Sequence, residues 1–370
     1  MKELVETAER PKRAFLAGIR DNNTTQEESA RLTGELLSLA GTLGLEIAGQ
    51  EIVRVRERHP RYGLGSGKAM ELADKAAGLT ADCIVFDMEI SPSQQRNWEK
   101  LAGIPVVDRQ ELIIQIFLSR AKTREAELQA VLAELNYSLP RLSHKYIDLS
   151  RQRGGRYGTR GAGETRLETD RRYVVSRVRQ MERELAEVCK QRAVQRQKRK
   201  KAAIPVCALV GYTNAGKSSL LNALTGADAF VEDKLFATLD PTSRRLETGD
   251  GRPLILTDTV GFIRRLPHAL VDAFRSTLEE ASGADLLVHV LDASDREAGR
   301  HYETTMTVLG EMGAGSIPMI TALNKSDRLS PEEQEAAMSQ YPGGIAVSAK
   351  TGAGLGALGR RIAGAFTPPI

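Results

Sequence analysis

The chain has 370 residues, 41% hydrophobic and 27% charged, with a formal net charge of +4. That length holds two or three ordinary domains, each able to bury its own core. No run reaches the ~18 continuous apolar residues that a membrane-spanning helix needs, and MKELVETAERPKR lacks the apolar core of a secretory leader. Cys83, Cys189 and Cys207 form neither a C-x-x-C pair nor a disulfide framework, so a reducing cytoplasm is expected.

In chain order, residues 1–107 alternate short apolar runs (Ala14–Ile19, Glu51–Val55, Cys83–Phe86, Ile104–Val107) with helical patterns near 25–43, 67–78 and 92–102. This alternation predicts a small α/β domain on a largely parallel sheet. Within it, Gly63-Leu-Gly65-Ser-Gly67-Lys68 has glycines and a lysine at a helix start. However, Tyr62 stands where a phosphate loop needs its first glycine, so a glycine-rich turn is expected there.

Residues 108–202 read as a helical hairpin. Asp108-Arg-Gln-Glu111 has the form of a capping box, and Leu112, Ile113, Ile116 and Phe117 share one apolar side. The periodicity continues through Leu128, Val131, Leu132 and Leu135 to Pro140. It resumes as Val174, Val178, Met181, Leu185 and Val188 at steps of 4, 3, 4 and 3, the narrow seam of a helix pairing with one partner. Residues 141–169 are expected to form the loop at its tip. From Arg151 to Lys201 there are 17 Lys and Arg against 6 Asp and Glu, while the rest of the chain is net acidic. A polyanion is the partner that such a patch favours, and the forked guanidinium groups of Arg151, Arg153, Arg156, Arg160, Arg166, Arg171 and Arg172 suit RNA phosphates.

Residues 203–370 give a regular βαβ alternation, with strands near 205–210, 253–258, 285–291, 317–323 and 345–347, the pattern of a doubly wound fold. The first strand runs into Gly211-Tyr212-Thr213-Asn214-Ala215-Gly216-Lys217-Ser218, followed by Ser219. This is G-x-x-x-x-G-K-[ST], whose backbone N–H groups cradle phosphates at a helix start. Lys217 is the point charge for the β- and γ-phosphates, and the Ser218 hydroxyl is a ligand for Mg²⁺. Asp258-Thr-Val-Gly261 ends the second strand: the acid fits a water-mediated Mg²⁺ role, and the Gly261 N–H can meet the γ-phosphate.

Asn324-Lys325-Ser-Asp327 distinguishes guanine from adenine, because a carboxylate accepts from guanine N1–H and the 2-amino group together. Asn324 ties this loop to the phosphate loop and the Lys325 stem covers the base. Ser348-Ala349-Lys350 suits the small loop whose Ala349 N–H meets guanine O6. Four motifs in this order predict a P-loop GTPase domain that binds GTP and GDP and hydrolyses GTP. The γ-phosphate sensor lies between the first two motifs. Thr238 in Phe236-Ala-Thr-Leu-Asp-Pro241 is the candidate for the Mg²⁺ shell, with Thr225 and Thr242 as rivals. Lys217, Thr238 and Gly261 form the expected catalytic set. Phe262 occupies the position where many GTPases carry a water-orienting glutamine, so intrinsic hydrolysis is expected to be slow. Asn214 resembles the P-loop asparagine of GTPases that bind K⁺; a turn-capping role is the alternative.

Taken together, Asp87-Met-Glu-Ile-Ser-Pro-Ser-Gln-Gln-Arg-Asn97, Val107-Asp-Arg109, Ile116–Glu125, Gly158–Arg172 and the GTPase loops resemble the HflX family of ribosome-associated GTPases over nearly the whole chain. The resemblance implies a G-domain of the translation-factor class that binds the large ribosomal subunit and the 70S ribosome. It also implies stimulation by the ribosome, separation of stalled ribosomes into subunits, and a basic loop at 151–172 reaching toward the peptidyl-transferase RNA. Many members continue past the G-domain, whereas this sequence stops at Ile370. A cytoplasmic monomer, partly ribosome-associated, is the resulting expectation. A large-subunit assembly factor using GTP as a timer and a signalling G protein with a protein effector are the alternatives.

Overall fold

The computed structural model describes residues 12–145, 162–201, 204–226, 232, 234–247, 253–264 and 280–366. Two compact units divide the chain: Met1–Ser119 with Val131–Glu182, and Arg120–Ala130 with Arg183–Ile370.

In the first unit, apolar runs become β1 (Arg13–Arg20), β2 (Glu46–Arg54), β3 (Cys83–Phe86) and β4 (Val106–Asp108), an all-parallel sheet in the order β2-β1-β3-β4. Parallel strands need crossovers, and α1 (Gln26–Thr42), α2 (Ser66–Gly78) and α3 (Pro92–Ala102) supply them. Each start is locally encoded. Thr25 accepts from Glu28 N–H, and Ser91 forms a capping box with Gln94 ahead of Pro92. The core gathers Phe15, Leu72, Ile84, Phe86 and Trp98, with the Trp98 indole N–H donating to Tyr62 O at 2.9 Å. The α4 helix (Arg109–Arg120) opens where Asp108 Oδ1 accepts from Glu111 N–H at 2.9 Å. Arg109 is buried between Asp87 and Glu35, both at 2.9 Å, so Asp87 and Arg109 anchor the core.

The helices α5 (Arg124–Lys145) and α6 (Ala162–Lys201) make the predicted helical region, with two corrections at its tip. Pro140 does not end α5: the Arg141 guanidinium stacks on the Tyr137 ring at 3.4 Å and donates to Tyr137 O and Ile90 O, pinning the turn around the proline. Likewise, Ala162–Thr169 is helical rather than loop, so Arg166, Arg171 and Arg172 belong to α6. The start of α5 meets the C-terminal half of α6 through Arg124–Glu184 and Arg192–Glu125 ion pairs. Met181 is the buried knob of the seam, and its other positions are half-buried.

The second unit carries β5 (Val206–Val210), β6 (Thr242–Glu247), β7 (Pro253–Asp258), β8 (Leu286–Asp292), β9 (Met319–Asn324) and β10 (Ile345–Ala346), in the order β10-β9-β8-β5-β7-β6. All pairs are parallel except β6 with β7. The sequence pattern missed β6, because TSRRLE is a polar edge whose pairing with β7 is decided by the neighbour. Helices α7 (Lys217–Thr225), α8 (Ala298–Glu311), α9 (Pro331–Gln340) and α10 (Leu355–Gly364) accompany this sheet. The chain leaves β5 with β7 on one side and β8 on the other, a topological switch point. Ligands bind beyond strand C-termini at such points.

Candidate functional site

The buried strand β5 delivers Gly211 to the switch point, and the loop turns into α7 at Lys217. Gly216 has φ 92°, and a Cβ there would lie 2.3 Å from Asn324 Nδ2, so only glycine lets the two loops meet. The Lys217 ammonium is buried and donates to Tyr212 O at 2.8 Å and Gly211 O at 3.2 Å. Burial pushes it down to about 8, against the pull of Asp258. Thr213, Asn214, Gly216, Lys217, Ser218 and Ser219 line a cavity of about 200 Å³ with Phe236, Thr238 and Gly261 opposite.

Three oxygens converge beside it. Ser218 Oγ donates to Asp258 Oδ2 at 2.6 Å and lies 2.6 Å from Thr238 Oγ1. Burial raises the Asp258 carboxyl, while Lys217 and the Ser218 and Thr238 hydroxyls lower it. Its other oxygen, Oδ1, is buried without a hydrogen-bond partner among the described residues. Two hydroxyls and an orphaned carboxylate oxygen fit Mg²⁺, which takes few protein oxygens and completes its shell with phosphates and water. Among the described residues no group of three or more His, Cys, Asp or Glu is placed to hold a metal ion. Of the rival threonines, Thr225 bonds back to Leu221 O at 2.7 Å, and Thr242 opens β6 opposite Asp258.

Gly261 packs so tightly that a Cβ would lie 2.7 Å from Thr213 Cα and 2.8 Å from Lys217 Nζ, which puts its backbone against the phosphate loop. Thr213 N–H donates to Phe262 O at 2.7 Å, and Phe262 N–H donates to Gly211 O at 3.1 Å. The Phe262 ring is buried with Val210, Leu287 and Leu309, so this side chain anchors the loop from inside. Pattern reading missed the side chain of Tyr212. It turns away from the cavity, stacks on His301 at 3.8 Å and accepts from Arg264 N–H at 2.9 Å.

In the N-K-x-D loop, Asn324 Nδ2 donates to Ala215 O at 2.8 Å, while its Oδ1 accepts from Ala349 N–H at 3.1 Å. One amide thus fastens the phosphate loop, the N-K-x-D loop and the S-A-K loop together. Lys325 has φ 59°; its ammonium donates to Asn214 O at 2.9 Å and pairs with Asp292 at 2.7 Å. Asp327 is exposed, and a 2.6 Å bond from Ser348 Oγ holds its carboxyl below the usual range, ionised and ready to accept. Lys350 is exposed beyond it.

Residues 30–118 match the family described as GTP-binding GTPase N-terminal, residues 120–199 its GTP-binding GTPase middle region, and residues 206–325 the 50S ribosome-binding GTPase family. A GTPase HflX of Akkermansia muciniphila is 48% identical over 345 residues, covering 91% of this chain and 79% of that protein. The chain belongs to the HflX family. GTPase HflX of Escherichia coli is 45% identical over 334 residues, covering 90% of this chain and 78% of its own length. A GTP-binding protein of Sulfolobus solfataricus, solved with GDP, shares the fold at TM-score 0.50 and 23% identity, covering 96% of this chain and 98% of its own. As an HflX GTPase, the chain is a GTP hydrolase that binds guanine nucleotide.

Residues of the glycine-lysine cluster and of the Asp87–Asn97 motif have structural duties here. Lys68 pairs with Glu71 at 2.6 Å and Glu51 at 3.4 Å, and Tyr62 packs edge-on against Trp98. Gln95 and Asn97 donate to the backbone carbonyls of Val106 and Arg61. Arg151, Arg153, Arg156 and Arg160 lie outside the described residues. Arg166 is placed on α6 by its backbone, and Arg171 and Arg172 are exposed there, with Glu168 3.1 Å from Arg172. No helix among the described residues is long and apolar enough to cross a membrane.

Proposed function

We propose that this HflX GTPase is a Mg²⁺-dependent, guanine-specific enzyme that binds the large subunit of the 70S ribosome in its GTP state and separates stalled ribosomes into subunits. The observation that carries the nucleotide chemistry is the convergence of Ser218, Thr238 and Asp258 at 2.6 Å contacts beside a buried lysine. Ser218 and Thr238 would hold Mg²⁺ directly and Asp258 would hold it through water, and the ion would supply charge neutralisation for the phosphates. Lys217 neutralises the β- and γ-phosphates, the Gly261 N–H meets the γ-phosphate, and the backbone of Gly211–Ser218 holds the rest. Asp327 reads N1–H and the 2-amino group of guanine. Ala349 N–H turns to O6 from its present acceptor, Asn324 Oδ1. With Phe262 buried, no side chain at that position orients the attacking water, so ribosome contact is needed to complete the site.

The ribosomal reading is supported by the 50S ribosome-binding GTPase family over 206–325 and by the basic excess of residues 151–201. The protein is read as cytoplasmic and monomeric, with K⁺ at Asn214 as a second cation. Sedimentation of 70S ribosomes with the protein and a non-hydrolysable GTP analogue tests the proposal. Free subunits should rise, and the protein should travel with the large one. Enrichment on immature large-subunit particles alone, without splitting, would support an assembly role instead.

A further inference from the structure

The segment that carries Thr238 is fastened at its other end to the start of a helix. Asp240 Oδ2 accepts from Lys122 N–H at 2.8 Å, and Thr123 N–H lies 3.3 and 3.4 Å from the two carboxylate oxygens. The Thr123 hydroxyl also donates to Asp240 Oδ1. Thr123 in turn begins α5: its Oγ1 accepts from Ala126 N–H at 3.2 Å and its carbonyl accepts from Glu127 N–H at 2.9 Å. A few residues away, Arg120 Nη2 pairs with Glu232 at 2.5 Å. A carboxylate on helix-start N–H groups makes charge-assisted bonds and answers the positive end of the helix dipole. Two residues earlier in the same loop, Thr238 Oγ1 lies 2.6 Å from Ser218 Oγ, and Leu239 between them is buried.

We propose that Asp240 is a positioning residue for GTP hydrolysis: by clasping the N-terminus of α5 it holds Thr238 on the Mg²⁺ side of the site. The physical argument is geometric. A sensing loop must be ordered around γ-phosphate and Mg²⁺ in one state and released in the other. A loop gripped only by nucleotide has to lose its full conformational freedom on binding. A loop also gripped by a helix start two residues away has less freedom to lose, so the Thr238-in arrangement is more populated. Coupling is reciprocal: whatever steadies the start of α5 favours Thr238 in place, and whatever holds Thr238 in place steadies α5. A partner gripping the helical region can therefore raise hydrolysis without touching the phosphates. The inference rests on Thr238 being the sensing threonine, and the test separates the two.

Single-turnover hydrolysis at saturating GTP and the affinities for GDP and a non-hydrolysable GTP analogue are measured with Mg²⁺ present. Asp240→Ala is expected to lower the single-turnover rate at saturating GTP about tenfold. It should also lower affinity for the analogue while leaving GDP affinity unchanged. Asp240→Asn, which keeps one carbonyl acceptor of the same shape, should recover part of the loss. Thr123→Ala should reproduce part of it, and the double variant with Asp240→Ala should be no worse than Asp240→Ala alone, because both remove one clasp. A wild-type single-turnover rate and an unchanged analogue-to-GDP affinity ratio in Asp240→Ala would overturn the proposal. So would equal loss of both affinities, which marks a merely misfolded phosphate loop. Thr238→Ala is the control. If it abolishes hydrolysis while Asp240→Ala is silent, only the clasp is wrong; if it is itself silent, the sensing threonine has been misassigned.

Discussion

On the proposed reading, Asp327 is the side chain that sets base choice. Its carboxylate leans on Ser348 Oγ and stays exposed and ionised, so both acceptor oxygens are set before guanine arrives. Asp327→Asn keeps the acceptor for Ser348 but turns an NH₂ toward guanine N1–H, donor against donor. GTP affinity should fall by at least about 100-fold, and xanthosine triphosphate, which offers an oxygen at C2, should bind better than GTP. Isothermal titration with both nucleotides checks this. Asn214 poses a finer question. Its φ of 61° is one that asparagine tolerates, so local geometry alone accounts for the residue type. A K⁺ role predicts turnover several-fold higher in K⁺ than in Na⁺ at equal ionic strength. That preference should be lost in Asn214→Gly, which keeps the backbone conformation. Equal rates in both salts for the wild type leave only the turn.

At the scale of elements, β8 carries an unusual passenger. His289 is fully buried between sheet and α8, edge-on to Tyr302 at 5.1 Å, and neither ring nitrogen has a hydrogen-bond partner among the described residues. Burial pushes its imidazole down to about 4, with Lys217 adding repulsion, so it is neutral at physiological pH. The unfolded chain binds this proton near 6.5 and the folded one does not, so stability falls as pH drops from about 6.5 toward 4. Between pH 8 and pH 5 the cost is on the order of 2 kcal/mol. His289→Leu removes the titrating group and the unpaired nitrogens together. Its melting temperature should exceed that of the wild type at pH 5 by more than at pH 8, by scanning calorimetry. Other elements were legible in the sequence to different degrees. The capped helices α1, α3 and α9 declare their starts with Thr25, Ser91 and Ser330, because capping involves residues three apart. The strand β6 declares nothing, because half of its reason for existing is β7.

At the scale of the whole molecule, charge is the argument. The basic excess of residues 151–201 offers a phosphate-rich partner many positive groups, of which exposed Arg171 and Arg172 on α6 are the described candidates. Arg171→Glu with Arg172→Glu should weaken co-sedimentation with ribosomes and flatten its salt dependence by about one unit for each phosphate no longer neutralised, with GDP affinity unchanged. An unaltered salt slope would remove these two arginines from the interface.

The loops proposed to hold nucleotide could be picked out before any fold, because each is a contiguous run of glycines, lysine, hydroxyls and acids a few residues apart. The α/β alternation was readable for the same reason, through the periods of strand and helix. The tertiary structure decided what depends on distant partners. Asn324 binds three loops with one amide, and Phe262 turns inward. Pro140 stays inside a helix because Arg141 reaches Ile90, and Asp240 finds Lys122 across 118 positions of chain. A local pattern encodes which conformation a segment prefers. Which far residue meets its side chain is settled only when the sheet stacks the loops at one end.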